Sequence, residues 1–485
     1  MLVSKQKRTK IVATIGPASE EMKTILELIK RGMNVARLNF SHGSYESHSE
    51  LIRNIRGAAK ALKTRVAILA DLQGPRVRIG KIFEEGIKLR IGDEIILTCS
   101  LVAHYGLKSL KSEKIPISYN QLFRDIKKGE RILIDDGLIE LKVEKIRGVD
   151  IICRVARGGL LTSGRGMNFP QTTLNISPIT VKDKKDLAFA LDQGIDYVAL
   201  SFVTSSKDIK NLRCLIKQLK PIASGVKIIA KIEKHEAVEN FEEILSSTDG
   251  VMIARGDLGI ELAAEKVPLL QKEIIAKCLK AYKPVIVATQ MLDSMVRNPR
   301  PTRAEVSDVA NAVIDHADAL MLSQETATCL YPKEAVVKMA DVIKEIEASR
   351  LDDYIYEDIT DHKIPIAAAV CRAAQELAAT IGAKLILVTT VSGFSARAAA
   401  SHRPEIRVAA ITPNEQAAKQ LALIWGVTAF TIAEFYNSED LLYKSLRLIK
   451  KEKLVKNGDK IVVVSGLKHK AAGDVWSNSI SVFGV

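Results

Sequence analysis

Cysteine is scarce and scattered along the 485 residues, which excludes a disulfide scaffold. The six cysteines are Cys99, Cys153, Cys214, Cys278, Cys329 and Cys371, and none forms a C-x-x-C pair. That also argues against a cysteine zinc site and fits a reducing compartment. No stretch approaches the roughly 18 apolar residues of a membrane-spanning helix. The basic N-terminal stretch is followed only by the short apolar run IVATIG, not by the core of a secretion signal. These absences predict a soluble cytoplasmic protein with no membrane partner. Low-complexity segments are also missing. The formal charge is +14 and the pI about 9.3. The lysines are dispersed among acids and no aromatic RNA-binding motif accompanies them, so the charge reads as a basic surface with pockets for anionic substrates. No nucleic-acid partner is expected.

What is present is an ordinary globular composition, 47% hydrophobic and 26% charged, in a chain long enough for two or three domains. Short β-branched runs alternate with helical patterns. Strands are predicted at Ile11 to Gly16, Val35 to Phe40, Val66 to Leu72, Tyr197 to Phe202, Lys227 to Glu233, Val251 to Asp257, Pro284 to Gln290 and Ala319 to Ser323. Helical patterns lie between most of them, as at Glu20 to Arg31 and Asp208 to Leu219. Eight strands separated by helices imply parallel pairing in a closed (β/α)8 barrel, over residues 1–72 and 169–345. The gap at 73–168 is too long for a simple connection and carries strand-like pieces such as Glu94 to Thr98 and Arg131 to Ile134. It reads as an inserted β-rich, β-barrel-like lid. A polar linker at 346–364 leads to a C-terminal α/β domain at 365–485. Thr302 and Glu305 are spaced as a capping box opening a helix.

The active site of such a barrel lies at the C-terminal ends of its strands. Those ends carry Arg37, Asn39, Ser41, Asp71, Lys231, Glu233, Asp257, Thr289, Ser323 and Glu325. Period two puts Arg37, Asn39 and Ser41 on one face, and Lys231 with Glu233 on another. Glu233 and Asp257 are hard oxygen ligands on neighbouring strands, suited to Mg²⁺ or Mn²⁺. Lys231 sets a point charge beside that metal and Arg37 a rigid fork for phosphate oxygens, a set able to stabilise phosphoryl transfer and an enolate. Gly256 lets the backbone approach a ligand carboxylate closely. Singly, each motif has a plain structural reading: Asp-Leu-Gly as turn chemistry, Lys-Ile-Glu as an exposed strand face. Their gathering at one barrel end favours the catalytic reading.

Six segments, TKIVATIGPAS (9–19), MNVARLNFSHG (33–43), KIEKHEAVENFEEI (231–244), MIARGDLGIEL (252–262), ATQMLDSM (288–295) and RPTRAEVSDVANAV (300–313), resemble those of the pyruvate kinase family. The resemblance implies transfer of a phosphoryl group from phosphoenolpyruvate to ADP, giving pyruvate and ATP in the last step of glycolysis. By the same resemblance Lys231 is the phosphoryl-stabilising lysine, and Glu233 and Asp257 are the divalent-metal ligands. Gly256, Asp257 and Thr289 hold phosphoenolpyruvate or pyruvate, and Arg37 meets the phosphoryl group. Thr289 and Ser323 serve the proton path to the enolate carbon. Asn39, Phe40, Ser41, His42, Arg78 and Arg165 are nucleotide-phosphate contacts. A homotetramer is implied as well.

Two departures matter. The family's K⁺-dependent pattern DTKGPEIRTG stands here as DLQGPRVRIG (71–80), with Arg76 in place of the glutamate. A fixed guanidinium can supply the charge that K⁺ brings. The pattern resembles the potassium-independent branch, with Asn39, Ser41 and Asp71 near the nucleotide but holding no obligatory K⁺. Arg76 paired with a surface acid is the plain alternative. Gln324 stands where the family carries Gly or Ala. In the C-terminal domain, Thr390, Ser392, Gly393, Phe394 and Ser395 open a helical pattern and resemble the family's effector-phosphate loop; a helix cap without ligand is the alternative. There a phosphorylated allosteric effector is expected, closed over by Lys468, His469 and Lys470 in a loop at Ser465 to Asn478. Rival readings are a metal-dependent aldolase or lyase on the same barrel, which needs no nucleotide contacts, and a catalytically silent metabolite sensor.

Overall fold

A computed structural model describes residues 7–100, 114–353, 364–469 and 475–485. Eight parallel strands close the barrel: Lys10–Thr14, Met33–Asn39, Ala67–Asp71, Tyr197–Leu200, Lys227–Ile232, Gly250–Ala254, Val285–Ala288 and Ala319–Leu322. Closure comes from the first strand pairing with the eighth, Lys10 opposite Ala319. Period two sorts the side chains. Val12, Leu69, Ile229 and Met252 fill the barrel's interior, while Ile11, Ala13, Ile228 and Ile253 face outward to the helices. Both faces are buried, so the strands read as continuous apolar runs rather than alternating ones.

Most strands end one to three residues earlier than the sequence predicts. The largest difference is at the sixth. It stops at Ala254, and Arg255–Glu261 turns into a helix carrying Gly256 and Asp257. The predicted capping box is formed: Thr302 accepts from the Glu305 N–H and opens the helix Arg303–Ile314.

Between the third and fourth barrel strands lies a six-stranded sheet that includes Glu94–Thr98, Arg131–Ile134, Ile139–Arg147 and Asp150–Arg157, beside a two-stranded ladder of Ile87–Leu89 with Gly159–Leu161. Among the described residues these are two separate sheets, not one closed barrel. Past the barrel, the helix Pro332–Glu347 runs into the stretch read as linker. A short turn follows at Arg350–Asp352. Glu347 is buried there because its carboxylate accepts from the N–H groups of Arg8 and Thr9, at 2.7 and 2.6 Å. The remaining linker residues, 354–363, lie outside the described residues.

The C-terminal sheet has five strands in the order Val427–Thr431, Arg407–Thr412, Leu385–Thr389, Lys460–His469, Val475–Gly484, the last antiparallel. The predicted closing loop at Ser465 to Asn478 is therefore largely a hairpin of long strands, and Lys470 lies outside the described residues. This unit plugs the bottom of the barrel. Leu423 joins the barrel's interior cluster, and the Tyr197 hydroxyl donates to the Gln420 carbonyl at 2.7 Å. Arg403 is buried against Asp318 at 3.3 Å and stacks over Trp425 at 4.9 Å.

Candidate active site at the barrel mouth

The C-terminal strand ends surround a cleft of about 610 Å³ lined by Arg37, Asn39, His42, Asp257, Thr289 and Ser323, among others. Deeper, the fifth strand delivers Lys231 into a nest of acceptors. Its ammonium lies 2.8 Å from Glu233 Oε1 and 3.4 Å from Asp71 Oδ1, and donates to Ser201 Oγ at 2.7 Å. Burial pulls the Lys231 pKa down, but the carboxylates of Asp71 and Glu233 outweigh it and raise it above the ordinary lysine value. Arg37 Nε donates to Asp71 Oδ2 at 2.7 Å and its Nη1 to Thr14 Oγ1 at 2.9 Å. Burial pushes the Asp71 carboxyl up, yet Lys231 and Arg37 together hold it below the ordinary carboxylate range. Two fixed cations and one shared anion thus form a rigid floor to the cleft.

Glu233 Oε2 accepts the Phe202 N–H at 2.8 Å. Asp257 rises to about 6, first through burial and then through the charge of Glu233. Two carboxylates that repel in this way form an all-oxygen donor set whose charge a dication would balance, which fits Mg²⁺ or Mn²⁺.

Thr289 follows the seventh strand directly with φ +73°, and Gln290 comes next at φ +55°. Left-handed geometry is strained for a β-branched residue. It aims the hydroxyl at the sixth strand's loop, where the Gly256 N–H donates to Thr289 Oγ1 at 2.7 Å. A side chain at Gly256 would approach that oxygen to 3.3 Å. Arg255 grips the turn: its guanidinium donates to both Asp308 oxygens at 2.7 Å and to the Thr289 carbonyl at 3.0 Å. Glu325 is buried and accepts the N–H groups of Leu292 and Ser323, at 3.1 and 2.7 Å, so it braces the loop that carries Ser323.

Not every expected residue reaches the cleft. The strand ends at Asn39, so Ser41 does not continue the period-two face; its N–H is tied to Asn39 Oδ1 at 3.2 Å. The Phe40 ring is buried and stacks on His48 at 4.4 Å. Arg78 and Arg165 sit in connecting segments of the inserted unit, outside its sheet strands and away from the cleft lining. Arg78 donates to the Gly164 carbonyl at 2.9 Å, and Arg165 pairs with Asp135 at 2.8 Å. Arg76 does line the cleft, and its guanidinium lies 3.4 Å from Asp136 in an exposed pair. Gln324 lines the cleft as well. Thr14 and Ser201, absent from the expected set, also stand at barrel-strand ends and bond Arg37 and Lys231.

The family model described as "Pyruvate kinase, barrel domain" matches residues 6–336, and "Pyruvate kinase, alpha/beta domain" matches 368–483. The chain belongs to the pyruvate kinase family. Pyruvate kinase 2 of Synechocystis sp. is 42% identical over 471 residues, 96% of this chain and 78% of the relative. The pyruvate kinase of Clostridium perfringens is 40% identical over 96% of this chain and 98% of its own length. The crystal structure of a pyruvate kinase from Cryptosporidium parvum superposes with a TM-score of 0.89 at 36% identity, covering 98% of this chain and 96% of that one. As a pyruvate kinase, the chain transfers the phosphoryl group of phosphoenolpyruvate to ADP. No helix among the described residues is long and apolar enough to cross a membrane.

Proposed function

We propose that Lys231, Arg37 and Thr289 carry this pyruvate kinase reaction, that Glu233 and Asp257 hold Mg²⁺ or Mn²⁺, and that no monovalent cation is required. The supporting observation is the Lys231 ammonium fixed 2.8 Å from Glu233 and 3.4 Å from Asp71, the carboxylate that also pairs with Arg37 on the wall of the cleft that Asp257 lines. When bound, the divalent ion supplies positive charge to the transferring phosphoryl group and to the oxygen it leaves. Arg37 and Lys231 orient the phosphoryl group. A terminal phosphate oxygen of ADP attacks phosphorus in line as the bond to the enol oxygen breaks, and Lys231 stabilises the charge that spreads over the equatorial oxygens. The enolate left behind takes a proton at its methylene carbon. Thr289, with Ser323 beside it at the end of the neighbouring eighth strand, holds water for that step. Gly256 and Asp257 border the carboxylate end of the substrate. His42 and Asn39 at the rim meet the nucleotide, with Arg78, Arg165 and the backbone of Phe40 and Ser41 joining when the inserted sheets at 73–168 close as a lid.

Arg76 takes the role of K⁺. It borders the same cleft as Arg37 and Asn39; its pairing with Asp136 is exposed and worth little. Asp71 is occupied by Arg37 and Lys231, leaving it little capacity for another cation. Initial rates in a coupled lactate dehydrogenase assay, in tetramethylammonium buffer with and without K⁺, test this. Equal rates are expected, and many-fold activation by K⁺ rejects the assignment to Arg76.

A phosphorylated effector at Thr390 to Ser395, a homotetramer and a cytoplasmic location belong to the same reading. In support of the effector loop, Gly393 caps the helix Phe394–Ser401 at φ +80°, and Arg397 donates to the Ser392 carbonyl at 3.4 Å. The loop borders a crevice shared with Lys227 of the barrel, a route from effector to catalytic domain. Ser392→Asp is expected to abolish activation by sugar phosphates without changing the maximal rate; unchanged activation rejects the loop.

A further inference from the structure

Beyond the Glu233–Asp257 pair, one cluster of ligating side chains among the described residues has no assigned task. His235 and Glu236 follow the fifth barrel strand, and Glu261 closes the short helix after the sixth. His235 Nδ1 lies 3.2 Å from Glu236 Oε2 and 3.5 Å from Glu261 Oε2. One ligand atom from each falls within 4.8 Å of the other two. Donors about 2.0–2.2 Å from a common ion stand roughly 3.0–3.5 Å apart, so the two distances from His235 match a coordination shell, and the two carboxylates need close in by no more than about an ångström. The Glu261 side chain is 3% exposed and that of Glu236 is 9% exposed. Neither Glu236 oxygen receives a hydrogen bond, and neither does Glu261 Oε2; His235 Nδ1 is likewise without a hydrogen-bond partner. Lys234 reaches Glu236 only at 3.9 Å. Buried carboxylate oxygens left in this state are costly unless something cationic sits among them.

We infer that His235, Glu236 and Glu261 form a second divalent-cation site, separate from the catalytic pair. One imidazole nitrogen with two carboxylates selects Zn²⁺, Mn²⁺ or Co²⁺ over Mg²⁺, which prefers oxygen alone. The site joins two segments that each carry a catalytic carboxylate: His235 comes two residues after Glu233, and Glu261 four residues after Asp257. A metal here staples the two loops and fixes the separation of Glu233 from Asp257. Glu261 also borders a small cavity with Val77, Met167 and Phe169, at the root of the inserted sheets, so the staple lies where that unit meets the barrel.

The test is a count of bound Mn²⁺ on the full chain, stripped with chelator and then titrated while free Mn²⁺ is followed by electron paramagnetic resonance. Two ions per chain are expected for the parent, one for His235→Gln combined with Glu261→Gln, and one for Asp257→Asn, which reports the catalytic site separately. One ion in the parent, or two in the His235/Glu261 variant, overturns the second site; loss of binding in the Asp257 variant alone bears only on the catalytic pair. Anomalous diffraction at the zinc edge from crystals of the unmodified chain soaked in Zn²⁺ gives the same answer without a substitution. A peak bonded to all three side chains is expected. Its absence means that a protonated His235 bridges the two acids, and the proposal falls.

Discussion

Arg255→Met isolates the cost of holding a strained turn in the cleft. Arg255 ties the Asp308 carboxylate to the Thr289 carbonyl, through two 2.7 Å bonds and one 3.0 Å bond. Thr289 and Gln290 sit in left-handed backbone, which costs on the order of 1–3 kcal/mol per residue. A hydrogen bond from a charged donor offsets about 1.5–3 kcal/mol. The two are of similar size, so without the guanidinium the turn relaxes in a large share of molecules and the Thr289 hydroxyl leaves Gly256. About 1.4–2.7 kcal/mol lost at the transition state corresponds to a kcat roughly 10–100-fold lower. KM for phosphoenolpyruvate should move less, because Arg37 and Lys231 are untouched. Arg255→Lys should recover only part of the loss, since one ammonium cannot span a carboxylate and a carbonyl in the same geometry. The assay is steady-state turnover coupled to lactate formation, with thermal melting in parallel. A kcat within twofold of the parent, alongside a lowered melting temperature, would make Arg255 a structural residue and refute the reasoning.

Other outcomes follow from the fold. Arg403→Met strands the buried Asp318 carboxylate between barrel and C-terminal unit; chemical denaturation should register a loss of about 3–5 kcal/mol, and an unchanged midpoint would mean the pair contributes nothing. Thr302→Ala removes one half of the capping box and should cost about 1 kcal/mol by the same method, with no loss contradicting the cap's role. Burial, with Arg372 nearby, pushes the His402 ring down from 6.5 to about 4. The folded state therefore favours the neutral ring, and the stability it contributes is present above pH 6.5 and lost as pH falls towards 4. The melting temperature should fall across that window, and His402→Gln should flatten the fall; an equal slope in the variant excludes His402 as its source.

The barrel was legible because its strands are apolar on both faces and bounded by helices, a signal that survives errors of up to two residues at the strand starts and one to three at the ends. Lys231 and Glu233 were legible for the same reason, since strand periodicity carried them to one side. Periodicity failed where the strand stopped. Ser41 falls beyond Asn39, and Asp257 rides a helix that begins at Arg255 rather than a strand. The Phe40 ring is buried against His48 and Phe189, so only its backbone faces the nucleotide in the proposed reading, a distinction that the sequence does not carry. Arg255, Glu325 and Ser201 act across the chain, through partners 30 to 53 residues away. No local pattern announces such contacts; only the closure of the barrel brings them together.

The central claim is that the Lys231 ammonium, held between Asp71 and Glu233, stabilises the phosphoryl group in flight. Single-turnover phosphoryl transfer by Lys231→Met, in protein with the parent's circular dichroism and with Mn²⁺ binding measured on the same sample, tests it most directly. Transfer slowed by about a thousandfold or more, with Mn²⁺ still bound by Glu233 and Asp257, is the expected result. Transfer at near the parent's rate would contradict it.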